Sequence, residues 1–230
     1  DRVIADEFVH RSLIDALSMA QLEFDKCRHN DMEHLEELLQ KPSTARRTFI
    51  IVEGIYSMEG DICPLPEIVA LKKKYSAYII LDESHALGVL GATGRGTDEH
   101  FGISPDEIEI ITCAMSKSVP VGGGFIATSK QAVILMQHSA SPFVFSCAMS
   151  PANTAACLAA FEMIEKEGPE RIAKVFENTE YLKKHFHRLG YRIRHRHSPI
   201  IPVLLRDRDR TLTLSAKLHE LGFLASPVIF

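Results

Sequence analysis

Apolar runs that resemble β-strands alternate with helix-like stretches along the chain, and this alternation constrains the fold more than any other feature. The strand-like runs lie at 3–6, 21–26, 47–55, 77–82, 107–115 and 123–128. The helix-like stretches between them lie near 11–20, 32–40 and 64–75. Strands that are apolar on both faces and separated by helices are typical of a parallel sheet that helices cover on both sides. The sequence therefore predicts an α/β fold with a mostly parallel central sheet flanked by helices.

The pattern changes after about residue 150, which indicates a second unit. A helix-like zone at 151–189 is followed by a short apolar segment at 200–206 and by a helix near 209–221. We therefore expect a large domain at 1–150 that lacks its N-terminal part, a helical connection at 151–190, and the beginning of a small α+β C-terminal domain at 191–230. The chain starts within a strand-like run and stops on another apolar run, so we expect it to be part of a longer protein.

Composition excludes several classes of protein. The 230 residues are 46% hydrophobic, which is enough for a full core, and the net charge of −4 does not suggest a nucleic-acid partner. No apolar run approaches the roughly 18 residues that a membrane span needs, and the first residues do not resemble a signal peptide. The five cysteines are scattered and form no CxxC pair, which favours a reduced, cytoplasmic chain over a disulfide-bonded or zinc-binding one.

Two histidine pairs resemble metal ligands, but a surface position is the better interpretation of both. His185 and His187 lie in a helix-like, basic stretch, where residues two apart point to different faces. His195 and His197 lie in a predicted strand among arginines, and no carboxylate or cysteine pattern accompanies either pair. We therefore expect no bound metal.

Polar side chains follow the carboxyl ends of several predicted strands. In open α/β sheets, ligands bind outside these ends because the loops there converge on one crevice. The side chains concerned are those of His10, Ser57, Asp82, His85 and Lys117. A single aspartate at a strand end is usually a helix cap, and a single lysine is usually solvated, but several such residues at separate strand ends indicate a site.

This combination of side chains suits pyridoxal phosphate. A lysine amine forms a Schiff base with the cofactor aldehyde, and an aspartate pairs with the pyridinium nitrogen so that the ring can accept electrons. In this hypothesis Lys117, which precedes a glycine-rich turn, and Asp82 fill these roles. His85 hydrogen-bonds the phenolic oxygen, His10 stacks on the ring, and neighbouring hydroxyls and backbone N–H groups hold the phosphate.

Five segments resemble the α-oxoamine synthases, fold-type I pyridoxal-phosphate enzymes that include serine palmitoyltransferase and 8-amino-7-oxononanoate synthase. The segments follow the family in order and spacing from about residue 1 to about residue 150, and they cover 8–16, 27–39, 52–68, 81–103 and 116–127. The resemblance implies both catalytic and cofactor-binding roles for Lys117, Asp82, His85 and His10. It implies further cofactor contacts from Ser57 and from Ser146, whose hydroxyl would reach the phosphate across a dimer interface.

The chain departs from the family pattern near the lysine. The family usually has a phosphate-binding threonine three residues before the lysine, whereas this chain has Ala114 there. We expect Ser116 or Thr112 to supply the missing hydroxyl. A second departure replaces the alanine of the family's DEAH sequence by Ser84, which we expect to be harmless.

The resemblance also implies a reaction and partners. The family performs a decarboxylative Claisen condensation of an amino acid with an acyl thioester, carried on coenzyme A or on a carrier protein, and releases an α-amino ketone. We expect an activity of the serine palmitoyltransferase type in a homodimer, with Lys117 as the base that removes the α-proton. The alternatives are 8-amino-7-oxononanoate synthase or 2-amino-3-ketobutyrate CoA ligase activity, a non-catalytic partner subunit, and an aminotransferase of the same fold type.

Overall fold

The computed structural model describes residues 1–193 and 197–229. Its centre is a six-stranded sheet with the strand order β2-β1-β3-β4-β5-β6. The strands are β1 (Arg2–Asp6), β2 (Phe24–Cys27), β3 (Thr48–Glu53), β4 (Tyr78–Asp82), β5 (Ile110–Ala114) and β6 (Gly124–Thr128). Strands β1 to β5 are parallel, and β6 pairs with β5 in the antiparallel sense at one edge. The predicted mostly parallel sheet is confirmed.

Helices connect the strands and continue the chain after the sheet. They are α1 (Arg11–Met19), α2 (Met32–Gln40), α3 (Leu65–Tyr75), α4 (Thr97–Phe101), α5 (Lys130–Ser139), α6 (Ser141–Val144), α7 (Pro151–Arg188) and α8 (Arg208–Glu220), with a 3₁₀ turn at Pro105–Glu107. Several begin at a side chain that accepts a backbone N–H of the first turn, as Asp31 does for α2 and Ser150 for α7. Helix α3 ends where Ser76 takes a left-handed conformation.

Both faces of the central strands are buried, which explains their continuous apolar sequences. In β1 the consecutive residues 3–5 are buried, and in β3 so are residues 50–52. Successive side chains of a strand point to opposite faces, so consecutive burial requires cover on both sides of the sheet. The helices that provide this cover include α2 and α3, whose inward leucines and isoleucines join the same core.

The last third of the chain is less regular than expected. Helix α7 spans 38 residues, in agreement with the predicted helical zone, and α8 confirms the helix predicted near 209–221. The apolar segment at 200–206 holds no strand, and the strand predicted around His195 lies outside the described residues. No strand follows β6 in the part of the chain that the structure describes, so the small α+β domain at 191–230 stays a prediction.

Two kinds of feature are absent from the described residues, a helix that could span a membrane and a cluster of metal ligands. None of the helices in the described part of the chain, including the long α7, contains a stretch apolar enough to cross a membrane. Within 1–193 and 197–229, no group of three or more histidine, cysteine or acidic side chains is arranged to hold a metal ion.

Candidate active site

A cleft of about 700 Å³ lies at the carboxyl end of the sheet. Four of the predicted site residues line it: His10 after β1, Asp82 at the end of β4, His85 in the following turn, and Lys117 after β5. Parallel register places the ends of these strands at one edge, because Glu53 of β3 is directly opposite Asp82 of β4. The structure therefore brings together residues that are up to 107 positions apart in the chain, from His10 to Lys117.

The Asp82 carboxylate is oriented by two hydrogen bonds. Its Oδ1 accepts the backbone N–H of Ser84 at 2.9 Å, and its Oδ2 accepts the Thr112 hydroxyl of the neighbouring strand at 3.0 Å. The Ser84 hydroxyl in turn accepts the backbone N–H of Ala114 at 2.8 Å, which joins the end of β4 to the end of β5. The Thr112 hydroxyl therefore supports Asp82. Whether Ser116 or Thr112 supplies the hydroxyl that the missing threonine at 114 would have provided stays a prediction.

His85 is a partly buried imidazole in the turn that follows β4. Desolvation lowers its pKa to about 4, the positive charge of Lys117 adds to this effect, and the charge of Asp82 opposes it. The ring is therefore neutral at pH 7 and carries one N–H donor and one acceptor nitrogen. A neutral imidazole can donate a hydrogen bond to a ligand oxygen without adding a charge to the site.

His10 is the N-cap residue of α1, and its ring lies at the cleft. Its Nδ1 accepts the backbone N–H of Ser12 at 3.2 Å and lies 2.8 Å from the Ser12 hydroxyl. Its own backbone N–H donates to Oε1 of Glu53. Both the backbone and the ring of His10 are thus held by hydrogen bonds.

Glu53 is a site residue that the sequence analysis missed. It ends β3, lines the cleft and is only 2% exposed. Burial raises its pKa to about 7, although the N–H of His10 and the charge of Lys117 lower it. A signal was present in the sequence, since Glu53 is an acid at the end of the apolar run FIIVE, just as Asp82 ends YIILD.

Lys117 lies in the loop between β5 and β6, where its side chain is exposed and lines the cleft. The loop is anchored by two buried apolar side chains, Met115 before the lysine and Val119 after it. The charge of Lys117 acts on both His85 and Glu53, so its amine faces the polar end of the cleft. Most of the apolar side chains that line the cleft come from α1, β6, α5 and α6.

Three predicted cofactor contacts do not line the cleft. Ser57 is partly buried in the loop after β3, and Ser116 is exposed next to Lys117. Ser146 is exposed after α6, and its hydroxyl donates to the Phe143 carbonyl at 3.4 Å. Their roles in binding a cofactor stay predictions, and the role expected of Ser146 requires a second subunit.

Comparison with known proteins agrees with the fold and shows the family. The family model for aminotransferase class I and II matches residues 1–228. The chain is 41% identical over 229 residues to serine palmitoyltransferase of Bacteroides thetaiotaomicron, and 38% identical over 228 residues to 8-amino-7-oxononanoate synthase of Thermosipho melanesiensis. These alignments cover 100% and 99% of this chain but 58% of each relative, so the chain spans little more than half of their length.

Solved structures show the same likeness. A serine palmitoyltransferase variant from S. paucimobilis, solved with a bound PLP–myriocin aldimine, superposes with a TM-score of 0.92 at 27% identity, over 98% of this chain and 58% of the other. Serine palmitoyltransferase from Sphingomonas wittichii gives 0.91 at 30% identity, over 99% and 58%. The relatives with these names are α-oxoamine synthases, as the sequence motifs indicated. The chain belongs to the aminotransferase class I and II family and resembles its α-oxoamine synthase members.

Proposed function

We propose that this chain carries the cofactor-binding part of a pyridoxal-phosphate-dependent α-oxoamine synthase of the serine palmitoyltransferase type. The observation that carries the proposal is the convergence of Lys117, Asp82, His85 and His10 on one cleft. The names of the relatives at 37–41% identity support the same reaction class.

The residues present fit pyridoxal phosphate. The cleft, at about 700 Å³, is within the range of small-molecule sites. An amine, an oriented carboxylate and a neutral imidazole are the groups that an aldehyde, a pyridine nitrogen and a phenolic oxygen would need. The polar end of the cleft offers all three, and its apolar wall leaves room for a further ligand.

When bound, the cofactor would withdraw electrons from the amino-acid α-carbon, and the protein would direct this chemistry. Lys117 would hold the cofactor covalently and, once displaced by the amino acid, would take the α-proton on its amine. Asp82, fixed by Thr112 and Ser84, would keep a proton on the pyridine nitrogen.

The two histidines would position the ring. His85 is neutral at pH 7 and would donate a hydrogen bond to the phenolic oxygen. His10, held at the start of α1, would cover one face of the ring and limit the access of water to that face. Neither histidine needs to change its charge for these tasks.

The proposed substrates are an amino acid and an acyl thioester, and the products are an α-amino ketone, carbon dioxide and the free thiol of the acyl carrier. An acyl chain would lie against the apolar wall of the cleft, which includes Leu13, Val133, Met136 and Phe143. An 8-amino-7-oxononanoate synthase activity is the second candidate, because relatives with that name are 37–39% identical to this chain.

We also propose a homodimer in a reducing, cytoplasmic setting. Phe145 is 86% exposed and directly precedes Ser146, the residue predicted to reach a phosphate in the partner subunit. An apolar surface of this kind is typical of an interface. All five cysteines are free, which is the state expected in a reducing compartment.

Absorbance spectroscopy tests the proposed cofactor chemistry. Full-length protein with added pyridoxal phosphate should develop the yellow absorption of a lysine-bound cofactor, and Lys117→Ala should lose it. Lys130→Ala, which removes an exposed lysine at the start of α5, should keep the absorption. Glycine, serine and alanine are then added in turn, and the one that shifts the spectrum identifies the amino-acid substrate. No absorption in the unmodified protein would leave a non-catalytic partner subunit as the better interpretation.

A further inference from the structure

Glu53 combines near-complete burial with a place at the cleft. It ends β3, which lies between β1 and β4, so its carboxyl group lies between the strand that leads to His10 and the strand that carries Asp82. Its side chain is 2% exposed. Burying a carboxyl group is costly unless it is hydrogen-bonded, so a buried acid at this place calls for a partner.

That partner is the backbone N–H of His10, which donates to Oε1 of Glu53. The contact joins residues 43 apart in the chain and fixes the point where α1 begins. The ring of His10 is held separately, because its Nδ1 accepts the Ser12 N–H. With Nδ1 used as an acceptor, the neutral ring carries its proton on Nε2. Because the ring is held against Ser12 at the start of the same helix, a movement of the His10 backbone would also move the ring.

The charges around Glu53 come from several elements. Asp82 at the end of β4 and Asp6 at the end of β1 raise its pKa, whereas Lys117 after β5 lowers it. Together with burial, these effects bring the pKa of Glu53 to about 7. An ionised carboxylate accepts an N–H more strongly than a neutral carboxyl group does. The contact with His10 is therefore stronger above neutral pH than below it.

We propose that Glu53 is a positioning residue that holds His10 at the cofactor face of the cleft through its backbone N–H, and that the protonation of Glu53 makes the position of the His10 ring depend on pH. The cofactor half of this statement rests on the proposed function. The contact between Glu53 and His10 does not, since it exists in the protein alone.

Two variants separate the hydrogen bond from the charge. Glu53→Gln keeps an oxygen that can accept the His10 N–H but cannot ionise, and Glu53→Ala removes the acceptor. Glu67→Gln is the control, because Glu67 is an exposed acid in the first turn of α3. All are made in the full-length protein, and His10→Gln identifies the His10 signal in spectra of histidine-labelled protein.

The first readout is the imidazole resonance of His10 in the protein without cofactor, followed from pH 5.5 to 8.5. In the parent and in Glu67→Gln it should show an additional inflection near the pKa of Glu53, about 7. Glu53→Gln should lose this inflection. A His10 resonance that titrates identically in the parent, Glu53→Gln and Glu53→Ala proteins would overturn the proposal, whether or not the protein binds a cofactor.

The second readout is the affinity for pyridoxal phosphate and the visible circular dichroism of the bound cofactor. Glu53→Ala should bind about tenfold more weakly, as expected for the loss of one charge-assisted hydrogen bond, and should show a reduced dichroic signal. Glu53→Gln should keep most of the affinity for pyridoxal phosphate, but this affinity should no longer change with the protonation of residue 53 near pH 7. If the parent protein binds no cofactor, the proposed function fails and the resonance of His10 still decides the role of Glu53. If the parent binds it and neither variant changes His10 or the dichroism, the role of Glu53 fails and the proposed function stands.

Discussion

His85 and Lys117 lie close enough for the lysine charge to act on the imidazole, and this shapes the chemistry of the cleft. An imidazolium beside an ammonium group would be doubly unfavourable in a partly desolvated place. The low pKa of His85, about 4, keeps the imidazole neutral at pH 7 and so avoids two neighbouring positive charges. A neutral donor can hydrogen-bond a ligand oxygen without placing a second positive charge beside Lys117.

The same shift predicts how stability depends on pH. Between about pH 6.5 and pH 4 the unfolded chain binds a proton on His85 and the folded chain does not, so the free energy of unfolding falls as the pH falls through this window. In His85→Asn the free energy of unfolding lost between pH 7 and pH 4.5 should be about 1–2 kcal/mol smaller than in the parent protein. This value is lowered because His85 is partly exposed. Urea denaturation at pH 7 and pH 4.5 measures it.

His138→Asn provides the control for this measurement, because His138 is exposed in the last turn of α5. That variant should lose stability on acidification as the parent does. Equal acid losses in the His85→Asn and parent proteins would show that His85 is protonated in the folded state.

At the scale of elements, a buried acid attaches the glycine-rich segment after β4 to the sheet. Glu83 is 2% exposed and accepts the backbone N–H and the hydroxyl of Thr97, at the start of α4, at 3.1–3.2 Å. Its two oxygens also lie against Gly96, whose φ of 124° is strained for any other residue. The glycine is required here because the backbone passes directly over the Glu83 carboxyl group.

Gly96→Ala should therefore be strongly destabilising. A Cβ at this position would lie 2.6 Å from Oε2 of Glu83, and the positive φ adds backbone strain. We expect a loss of more than about 2 kcal/mol in the free energy of unfolding, measured in urea. Gly102→Ala is the matched control, since Gly102 also has a positive φ but a Cβ added there would have no neighbour within 4 Å, and it should cost about 1 kcal/mol. Equal losses in both variants would mean that the Glu83 contact does not constrain the chain.

At the scale of the whole molecule, the proposed dimer explains why an apolar surface is exposed at the end of α6. Phe143 and Phe145 are both exposed there, and Phe143 also lines the cleft. An interface at this place would bury both rings next to the ligand. It would also bring Ser146 towards the partner subunit, as its predicted phosphate contact requires.

Phe145→Asp should weaken the association of the full-length protein at least tenfold, because it places a charge in the proposed interface. Analytical ultracentrifugation over a range of concentrations measures the change. Leu189→Asp is the control, since Leu189 is 74% exposed at the far end of α7 and lies outside the proposed interface. A dimer of unchanged affinity in Phe145→Asp would place the interface elsewhere.

Much of the sheet could be predicted because burial on both faces leaves a direct trace in the sequence. Residues 3–5 and 50–52 are continuous apolar runs, and the structure buries each of them. The edge strand β6 pairs in the antiparallel direction, which its short sequence does not indicate. The segment at 200–206 is apolar but forms no strand, since an apolar run alone does not provide a neighbouring strand to pair with.

The sequence alone determined that this chain forms a mostly parallel α/β sheet, and that polar residues such as Asp82 and Lys117 end or follow its strands. Both properties depend on the order of residues along the chain. Only the tertiary structure decided that Thr112 orients Asp82, that Glu53 holds His10, and that His85 is neutral. Hydrogen bonds between strands and the desolvation of a side chain depend on which distant segments pack together, and the positions of residues along the chain do not specify this.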